Sequence, residues 1–434
     1  MRIKRVDAWE VLDSRGRPTV AAALMLDDGT AASASVPSGA STGRAEAKER
    51  RDGGKRFRGL GCRQAVAHIR GPIAAALLGE CFDDQEQLDR HLLELDGTAD
   101  KSRLGANALL AVSLAFARAA AACSGIELFT YFASLLPEPF PPRLPALTIN
   151  LFSGGKHAFG QVAIQDVLVV PKLGATVMER LAQVYEVYQQ AAALGARRYQ
   201  VRALTADEGG LAPPFSDSSE MLEAAAEAVG AAGYELGREI GLAVDVAASH
   251  FALAGGYYNL DGKSLSSEQL IETISAWTRS YPVISVEDGL AEDDWAHWPV
   301  LRRELGDRAL TLADDLTCTT PARIRRAIDT GAANALLLKV NQVGTLTEAK
   351  ESYLSARAAG WPVSVSARSG ETEDAWLADL AVGWSAEFIK IGSITQSDRL
   401  AKYNRLLQIE HQYTMTGFSP EGVLELIPFR WPSR

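Results

Sequence analysis

Three short apolar runs between residues 282 and 342 constrain the fold more than any other part of the chain. They read PVISVEDG, ALTLADDLT and NALLLKVNQ, and their cores are β-branched residues or leucines without polar alternation. Such runs are typical of strands that are buried on both faces. The apolar cores end at Glu287, Asp314 and Lys339. Charge confined to the C-terminal ends predicts a parallel (β/α) barrel, in which functional groups gather at that end of the strands.

The segments between these runs have helical signals. In TTPARIRRAIDTG, Thr320 is the predicted N-cap, Pro321 takes the first helical position and Gly331 follows the last. Five further runs bring the total to about the eight that a barrel requires, namely ALTINLF, QDVLVVP, IGLAVDVAAS, PVSVSARSG and EFIKIGS. Only about a dozen residues separate the first two runs. This distance is too short for a crossover helix, so the barrel is predicted to begin with an antiparallel pair.

The length of 434 residues predicts a second domain beside a barrel of about 250 residues. Strand-like sequence runs to about Val36, with a hairpin signal at Asp27-Asp28-Gly29. The loop PSGASTG follows and is predicted to open into a charged helix, and helical sequence then continues to Gly125. We predict an N-terminal domain at 1–135, a Pro-rich linker at 136–145, the barrel at 146–410 and a C-terminal tail at 411–434.

Composition narrows the class of partner. The formal net charge of −10 disfavours nucleic acid or an anionic membrane as the main partner. The four cysteines are widely spaced, which indicates neither a disulfide framework nor a zinc site. The most apolar segment, from Ala108, carries Arg118 and predicts a buried Ala-rich helix. With no secretory signal visible in the first residues, we expect a cytoplasmic protein.

Three acids at successive strand ends predict a metal site. Asp245, Glu287 and Asp314 end the runs GLAVD, ISVE and TLAD. On adjacent strands their carboxylates would repel one another, and a divalent cation relieves that repulsion. Oxygen ligands alone favour magnesium over zinc. Any one of these acids, taken alone, is better explained as a cap or a salt-bridge partner.

Cationic groups follow the later strands. Lys339 and Lys390 are predicted to face the same end of the barrel, where a lysine beside a second lysine and a metal can act as a base. Such a base suits removal of a weakly acidic proton next to a carboxylate. Arg368 and Ser369 suit an anionic group such as phosphate. Ion pairing with nearby acids is the alternative role for the lysines and for Arg368.

Several motifs together resemble the enolase family. They are VPSGASTG (36–43), LDGT with KSRLGANA (95–108), DEGGLAP (207–213), SVEDGLAEDDW (285–295), ADDLT (313–317), LLLKVNQVGTL (336–346) and RSGETEDAWLADLAVG (368–383). The resemblance implies an N-terminal α+β domain packed on a mixed (β/α)8 barrel. It also implies two Mg²⁺ ions and elimination of water from a small phosphorylated acid like 2-phosphoglycerate.

The resemblance also implies a role for each matching residue. Lys339 would accept the proton, Glu208 would protonate the departing hydroxide, and Asp166 would lie beside Glu208. The implied ligands of the tighter metal are Asp245, Glu287 and Asp314, and Ser38 is the implied contact of the second ion. The implied substrate contacts are Lys390 for the carboxylate, Arg368 and Ser369 for the phosphate, and His157 and Gln165 lining the pocket.

The chain departs from the family pattern near the substrate's phosphate and hydroxyl ends. Ala367 stands where the family has histidine, and Asp166 where it has glutamate. Ala206 and Gly289 replace a glycine and a proline, and the loop FSGGKHAFG replaces the Asn-Gly-Gly-Ser-His loop. Replacing an imidazole by a methyl group at Ala367 makes room for a larger group. The first hypothesis is therefore a specialised dehydratase, like the carboxyphosphonoenolpyruvate synthases of phosphonate natural-product pathways.

Two alternatives stay open. The chain could be a housekeeping glycolytic enolase, or an enolase-like binding protein without catalysis; racemases and lactonising enzymes lack the SGASTG loop and need no Arg-Ser clamp. The preserved lysines and acids argue against the non-catalytic alternative. Enolases are typically dimeric, but Ala21 replaces a glutamate of the usual subunit contact. A homo-oligomer is therefore expected only with an altered contact.

Overall fold

The N-terminal domain of the computed structural model begins with an antiparallel sheet; the structure describes residues 1–138 and 140–416, and the backbone alone at 414–416. Strands β1 (Ile3–Leu12), β2 (Pro18–Leu26) and β3 (Ala31–Ser35) pair in that order. The hairpin predicted at Asp27-Asp28-Gly29 is confirmed, with Gly29 in the left-handed region at φ +91°.

Helices complete this domain. They are α1 (Arg63–His68), α2 (Ala74–Leu77), α3 (Gln85–Asp96), α4 (Ala106–Cys123) and α5 (Leu128–Ser134). Helix α4 is long and apolar enough to cross a membrane by length and composition alone, but 83% of it is buried inside the protein. It packs against β2 and β3, so the predicted buried helix is confirmed.

Eight strands form the closed barrel of the second domain. In chain order the strands after the first domain are β4 (Ala146–Ser153), β5 (Asp166–Pro171), β6 (Ile240–Asp245), β7 (Ala252–Leu253), β8 (Tyr257–Leu260), β9 (Lys263–Ser266), β10 (Val283–Glu287), β11 (Leu310–Ala313), β12 (Ala335–Leu338), β13 (Val363–Ser366) and β14 (Phe388–Gly392). Strands β7 to β9 form a small separate sheet, and the other eight close the barrel in the order β10-β11-β12-β13-β14-β4-β5-β6. Strand β5 is antiparallel to both neighbours, which confirms the predicted start of the barrel.

Helices lie between the barrel strands. They are α6 (Val177–Tyr199), α7 (Ser218–Ala231), α8 (Ser267–Ser280), α9 (Trp298–Leu305), α10 (Pro321–Thr330), α11 (Leu346–Ala358), α12 (Trp376–Gly383) and α13 (Ser397–Thr416). The α10 signals are confirmed, because Thr320 is its N-cap residue and Gly331 ends it at φ +64°. Helix α13 continues past the boundary predicted at residue 410, and the rest of the predicted tail, 417–434, lies outside the described residues.

The prediction of a charged helix after Gly43 is wrong. Residues 44–52 are irregular. Their polar groups contact distant elements instead of the preceding helical turn: the Ala47 amide donates to the Gln342 carbonyl at 2.8 Å, and the Lys48 amide donates to the Asp100 carbonyl at 2.7 Å. A propensity for helix is weak compared with such tertiary contacts.

Candidate active site

The C-terminal ends of the barrel strands bring the predicted acids together. Asp245 ends β6 and Glu287 ends β10, and the two residues are paired in the strand register. Asp314 directly follows β11. Because the strands are parallel here, all three carboxylates lie at the same end of the barrel. All the predicted site residues are buried: Ser38, His157, Gln165, Asp166, Glu208, Asp245, Glu287, Asp314, Lys339, Ala367, Arg368, Ser369 and Lys390.

Two ammonium groups separate the three carboxylates. Lys390 Nζ donates to Asp245 Oδ2 at 2.8 Å and to Glu287 Oε2 at 2.7 Å. Lys339 Nζ donates to Asp314 Oδ2. The three carboxylates therefore contact lysines, and together they are not one of the groups of described residues whose ligand atoms all lie within 4.8 Å of one another, which differs from the predicted direct convergence. Both lysines lie in the same constellation, as the sequence predicts.

These contacts change the proton affinities of the site. Burial raises the pKa of Asp245, but the positive charges of Lys390, Lys339 and His157 together outweigh burial and hold the pKa below its usual value. Burial and the repulsion of Asp245 raise the pKa of Glu287 well above its usual value. For Lys339, burial lowers the pKa, but the Asp314 and Glu287 carboxylates together more than offset this and the net pKa is raised. In this arrangement the Lys339 amine is therefore protonated, whereas a base requires the neutral form.

The donor set fits a hard divalent cation. Glu287 Oε1 is buried and has no hydrogen-bond partner among the described residues. Such an atom is costly to bury unless it is satisfied by a ligand or an ion. All three candidate ligands are carboxylates, the oxygen donors that Mg²⁺ prefers.

A second acidic group lies next to the first. Oxygen atoms of Asp288, Asp314 and Asp315 lie within 4.8 Å of one another, a geometry that could hold a metal ion. Asp288 has φ +44° and accepts the amides of Asp314 at 3.0 Å and Asp315 at 2.7 Å. Asp288 thus fixes the backbone that presents Asp314 to the site. Burial, followed by repulsion from Asp314, raises the pKa of Asp315 to about 7.

His157, Asp166 and Glu208 form a compact buried cluster. His157 Nδ1 lies 3.0 Å from Asp166 Oδ2, and its Nε2 lies 3.6 Å from Glu208 Oε1. Ser153 donates to the other Asp166 oxygen at 2.6 Å, and Asn150 donates to Glu208 at 3.1 Å. The three ligand atoms lie within 4.8 Å of one another and could also hold a metal ion.

The free energy of unfolding is expected to depend on pH through the charge of His157. Burial lowers the pKa of His157, but Asp166 and Glu208 raise it to about 9. Because this value exceeds the usual 6.5, protonation of His157 stabilises the folded state fully below pH 6.5, and the stabilisation disappears as pH rises through about 9. Between pH 6.5 and about 9, the free energy of unfolding, measured with urea, should therefore decrease less in His157→Gln than in the wild type.

A matched control is His411→Gln, at an exposed position of α13. This variant should retain the decrease of the wild type. An equal decrease in wild type and His157→Gln would contradict the assignment.

Gln165 links the His157 cluster to the metal-ligand candidates. Its Nε2 donates to Asp245 Oδ2 at 3.0 Å, while its Oε1 is buried without a hydrogen-bond partner among the described residues. Asp166, the next residue, pairs with Asp245 across β5 and β6. Proton-transfer candidates and metal-ligand candidates therefore share one end of the barrel.

Arg368 and Ser369 contact the loop 37–43 of the N-terminal domain. Arg368 donates to the Ser41 carbonyl at 2.8 Å, and Ser369 Oγ accepts the Ala40 amide at 2.7 Å. Arg15 donates to Ser369 Oγ at 3.2 Å. The predicted anion contacts therefore lie where the two domains meet.

Ser38 is held by contacts with both domains. Its hydroxyl accepts from Arg51 at 2.7 Å and donates to Glu49 at 3.2 Å. Its amide donates to the Gly370 carbonyl at 2.8 Å. The other serine of the loop is Ser41, and its carbonyl accepts a hydrogen bond from Arg368. The role of Ser38 as a metal ligand stays a prediction.

The sequence matches known families over both domains. Residues 3–132 match the family described as "Enolase, N-terminal domain", and residues 142–419 match "Enolase, C-terminal TIM barrel domain". The chain belongs to the enolase family. Its family places it among metal-dependent lyases, and the acidic groups at the barrel end are consistent with metal binding. A small phosphorylated acid is the class of substrate that enolases take.

Several groups of this enolase-family site were not singled out from the sequence. Glu46, Gln342 and Asp288 each contact a predicted site residue. Gln342 and Asp288 lie inside the quoted motifs, in KVNQ and VEDG, and Glu46 lies three residues after VPSGASTG. Their position in or near a motif was the sequence signal that could have identified them as part of the site. Their partners are distant in sequence, so the sequence did not indicate their contacts.

Proposed function

We propose that this protein is a magnesium-dependent dehydratase that eliminates water from a 2-phosphoglycerate-like acid to give a phosphoenolpyruvate-type product. The observation that carries the proposal is the meeting of Asp245, Glu287 and Asp314 with Lys339 and Lys390 at one buried barrel end. Elimination next to a carboxylate needs a base on one side and an acid on the other. The lysines and the His157 cluster supply both kinds of group.

Asp245, Glu287 and Asp314 would hold one Mg²⁺, and Ser38 would contact a second. When bound, Mg²⁺ supplies positive charge that offsets the charge developing on the substrate carboxylate. Engagement of Asp314 and Glu287 as ligands would weaken the attraction of the carboxylates that keep Lys339 protonated, and so would lower the pKa of that amine. Lys339 would then accept the proton from carbon, and Lys390 would bind the substrate carboxylate.

The proton for the departing hydroxide is available at the His157 cluster. Burial raises the pKa of Glu208, but His157, Arg399 and the two site lysines together outweigh burial and lower the pKa below its usual value. His157, with a pKa of about 9, lies 3.6 Å away and holds a proton at neutral pH. Glu208 would deliver the proton to the hydroxide, and His157 and Asp166 would keep it supplied. Arg368 and Ser369 would bind the phosphoryl group.

More specifically, we propose that the substrate carries a larger group at its phosphoryl end than 2-phosphoglycerate does. Ala367 directly precedes Arg368, and its amide donates to the Lys390 carbonyl at 2.8 Å. A methyl group there occupies less volume than the family's imidazole. The smaller side chain at Ala367 supports a carboxyphosphonoenolpyruvate synthase-like dehydratase of phosphonate biosynthesis.

Replacing Ala367 with histidine tests this finer proposal. We expect Ala367→His to raise kcat/KM for plain 2-phosphoglycerate by about tenfold or more, because one extra hydrogen bond to a charged group contributes about 1.5–3 kcal/mol. Its kcat/KM for a phosphonoformyl-substituted 2-phosphoglycerate should fall, because the imidazole fills the added space. Steady-state assays with Mg²⁺ measure both values.

Wild-type turnover of 2-phosphoglycerate at an ordinary enzymatic rate, unimproved in Ala367→His, would contradict the enlarged site. That outcome would favour the housekeeping alternative, conversion of 2-phosphoglycerate to phosphoenolpyruvate. The control variant is Ala386→Ser, at a buried alanine that precedes β14. This variant makes a small change in the same domain but adds no group at the phosphoryl end. The ratio of its kcat/KM values for the two substrates should equal the ratio of the wild type.

A further inference from the structure

Arg368 is already bound by an internal carboxylate. Its Nη1 donates to Glu46 Oε2 at 3.1 Å and its Nη2 donates to Glu46 Oε1 at 3.2 Å. Nη1 also donates to Asn341 Oδ1 at 2.8 Å, and Nη2 to the Ser41 carbonyl at 2.8 Å. The Arg368 and Glu46 side chains are only 3% and 7% exposed. This is a buried, two-pronged ion pair between the two domains.

The pair uses most of the hydrogen-bonding capacity of the arginine. A guanidinium has five N–H donors. Four contacts from Nη1 and Nη2 account for four of them, and a carboxylate is bound in the geometry that a phosphate oxygen pair would take. A phosphoryl group can therefore take a two-pronged contact with Nη1 and Nη2 only when Glu46 gives up its place.

Glu46 also contacts the loop 37–43 and Gln342. Its Oε1 accepts the Gly43 amide at 3.0 Å and Gln342 Nε2 at 3.3 Å. Gln342 in turn donates to Asp314 Oδ1 at 3.0 Å. Gly39 lies so close that an added Cβ would be 2.0 Å from Arg368 Nη2. One carboxylate thus contacts the loop, the arginine and a neighbour of the metal-ligand candidates.

We propose that Glu46 is a specificity-determining residue: an internal counter-ion that competes with the ligand's anionic group for Arg368. The competition weakens binding of any small anion that cannot displace it, and favours ligands with additional anchoring groups. This inference rests on the proposed function only in taking Arg368 as the contact of the phosphoryl group. Loss of the Glu46 charge leaves a buried guanidinium unpaired, which strongly favours binding of another anion.

Isothermal calorimetry with inorganic phosphate tests the competition without any turnover. Glu46→Gln is expected to lower the Kd of phosphate about tenfold or more, because the phosphate then no longer competes with a carboxylate for two hydrogen bonds to a charged group. Glu46→Asp keeps the charge on a shorter side chain and should give a Kd between those of Glu46→Gln and the wild type. The gain should be lost in the double variant Glu46→Gln, Arg368→Gln.

Glu292→Gln is the matched control. Glu292 binds the residue directly after the loop 37–43 by accepting the Arg44 amide at 2.9 Å, and its side chain contacts Arg44 and not Arg368. This variant should leave the phosphate Kd unchanged. An unchanged or higher Kd in Glu46→Gln and Glu46→Asp, or a lower one that persists without Arg368, would overturn the inference. Tighter phosphate binding in a protein that fails to dehydrate 2-phosphoglycerate analogues would refute the proposed function and leave the competition standing.

Discussion

Replacing Lys339 with alanine is expected to reduce kcat by roughly 10³-fold, within the range that general acid–base groups contribute. Lys339 Nζ contacts Asp314 at the buried barrel end, which is where the proposed proton acceptor must lie. Because binding of the substrate's phosphoryl group does not involve this amine, KM should change far less than kcat. Steady-state assays with saturating Mg²⁺ measure the two parameters separately.

A matched control separates catalysis from stability. Lys101 Nζ contacts Glu348 in a similarly buried ion pair outside the barrel end. Lys101→Ala should lose stability, since removing one partner leaves a buried charge uncompensated, but it should retain kcat. If Lys339→Ala kept more than a tenth of the wild-type kcat, Lys339 would not be the base. A wild type without any turnover would favour the non-catalytic alternative.

Addition of Mg²⁺ is expected to stabilise the folded protein, and Glu287→Gln is expected to remove most of that effect. A ligand at about 100 times its Kd stabilises by about 2.7 kcal/mol. Glu287 offers a buried Oε1 without a hydrogen-bond partner among the described residues, and glutamine keeps its size while removing its charge. Thermal unfolding with Mg²⁺ or with a chelator measures the difference without any reaction.

Asp89→Asn is the control for this experiment. Asp89 is also a fully buried carboxylate, but it accepts hydrogen bonds from Thr347 and Gln85, away from the barrel end. Its variant should keep the full Mg²⁺ effect. Equal stabilisation of wild type and Glu287→Gln would show that the cation binds elsewhere, and the His157 cluster or the Asp288 group would be the next candidate.

The barrel could be predicted from sequence because its determinants are local. Each strand is a short apolar run, and the period and length of such runs indicate buried strands directly. The close spacing of β4 and β5 excluded a crossover helix, which correctly gave an antiparallel pair. Parallel strands then bring Asp245, Glu287 and Asp314 to one end, so the location of the site followed from strand order alone.

The partners of the site residues could not be predicted in the same way. Glu46 and Arg368 are 322 residues apart, and no local pattern indicates their pairing. The same holds for Lys390, which contacts Asp245 and Glu287 although it lies 145 and 103 residues from them in sequence. The charged segment after Gly43 has good helix formers, yet its polar groups are bound by other elements and it is irregular. Such outcomes depend on tertiary contacts, which override local propensity.

A crystal soaked in Mn²⁺ tests the central claim most directly, because anomalous scattering locates the ion independently of activity. We predict an anomalous peak bound by Asp245, Glu287 and Asp314, with the Lys339 amine directed into the same site. A peak at other residues, or no peak at the three carboxylates at saturating Mn²⁺, would contradict the account.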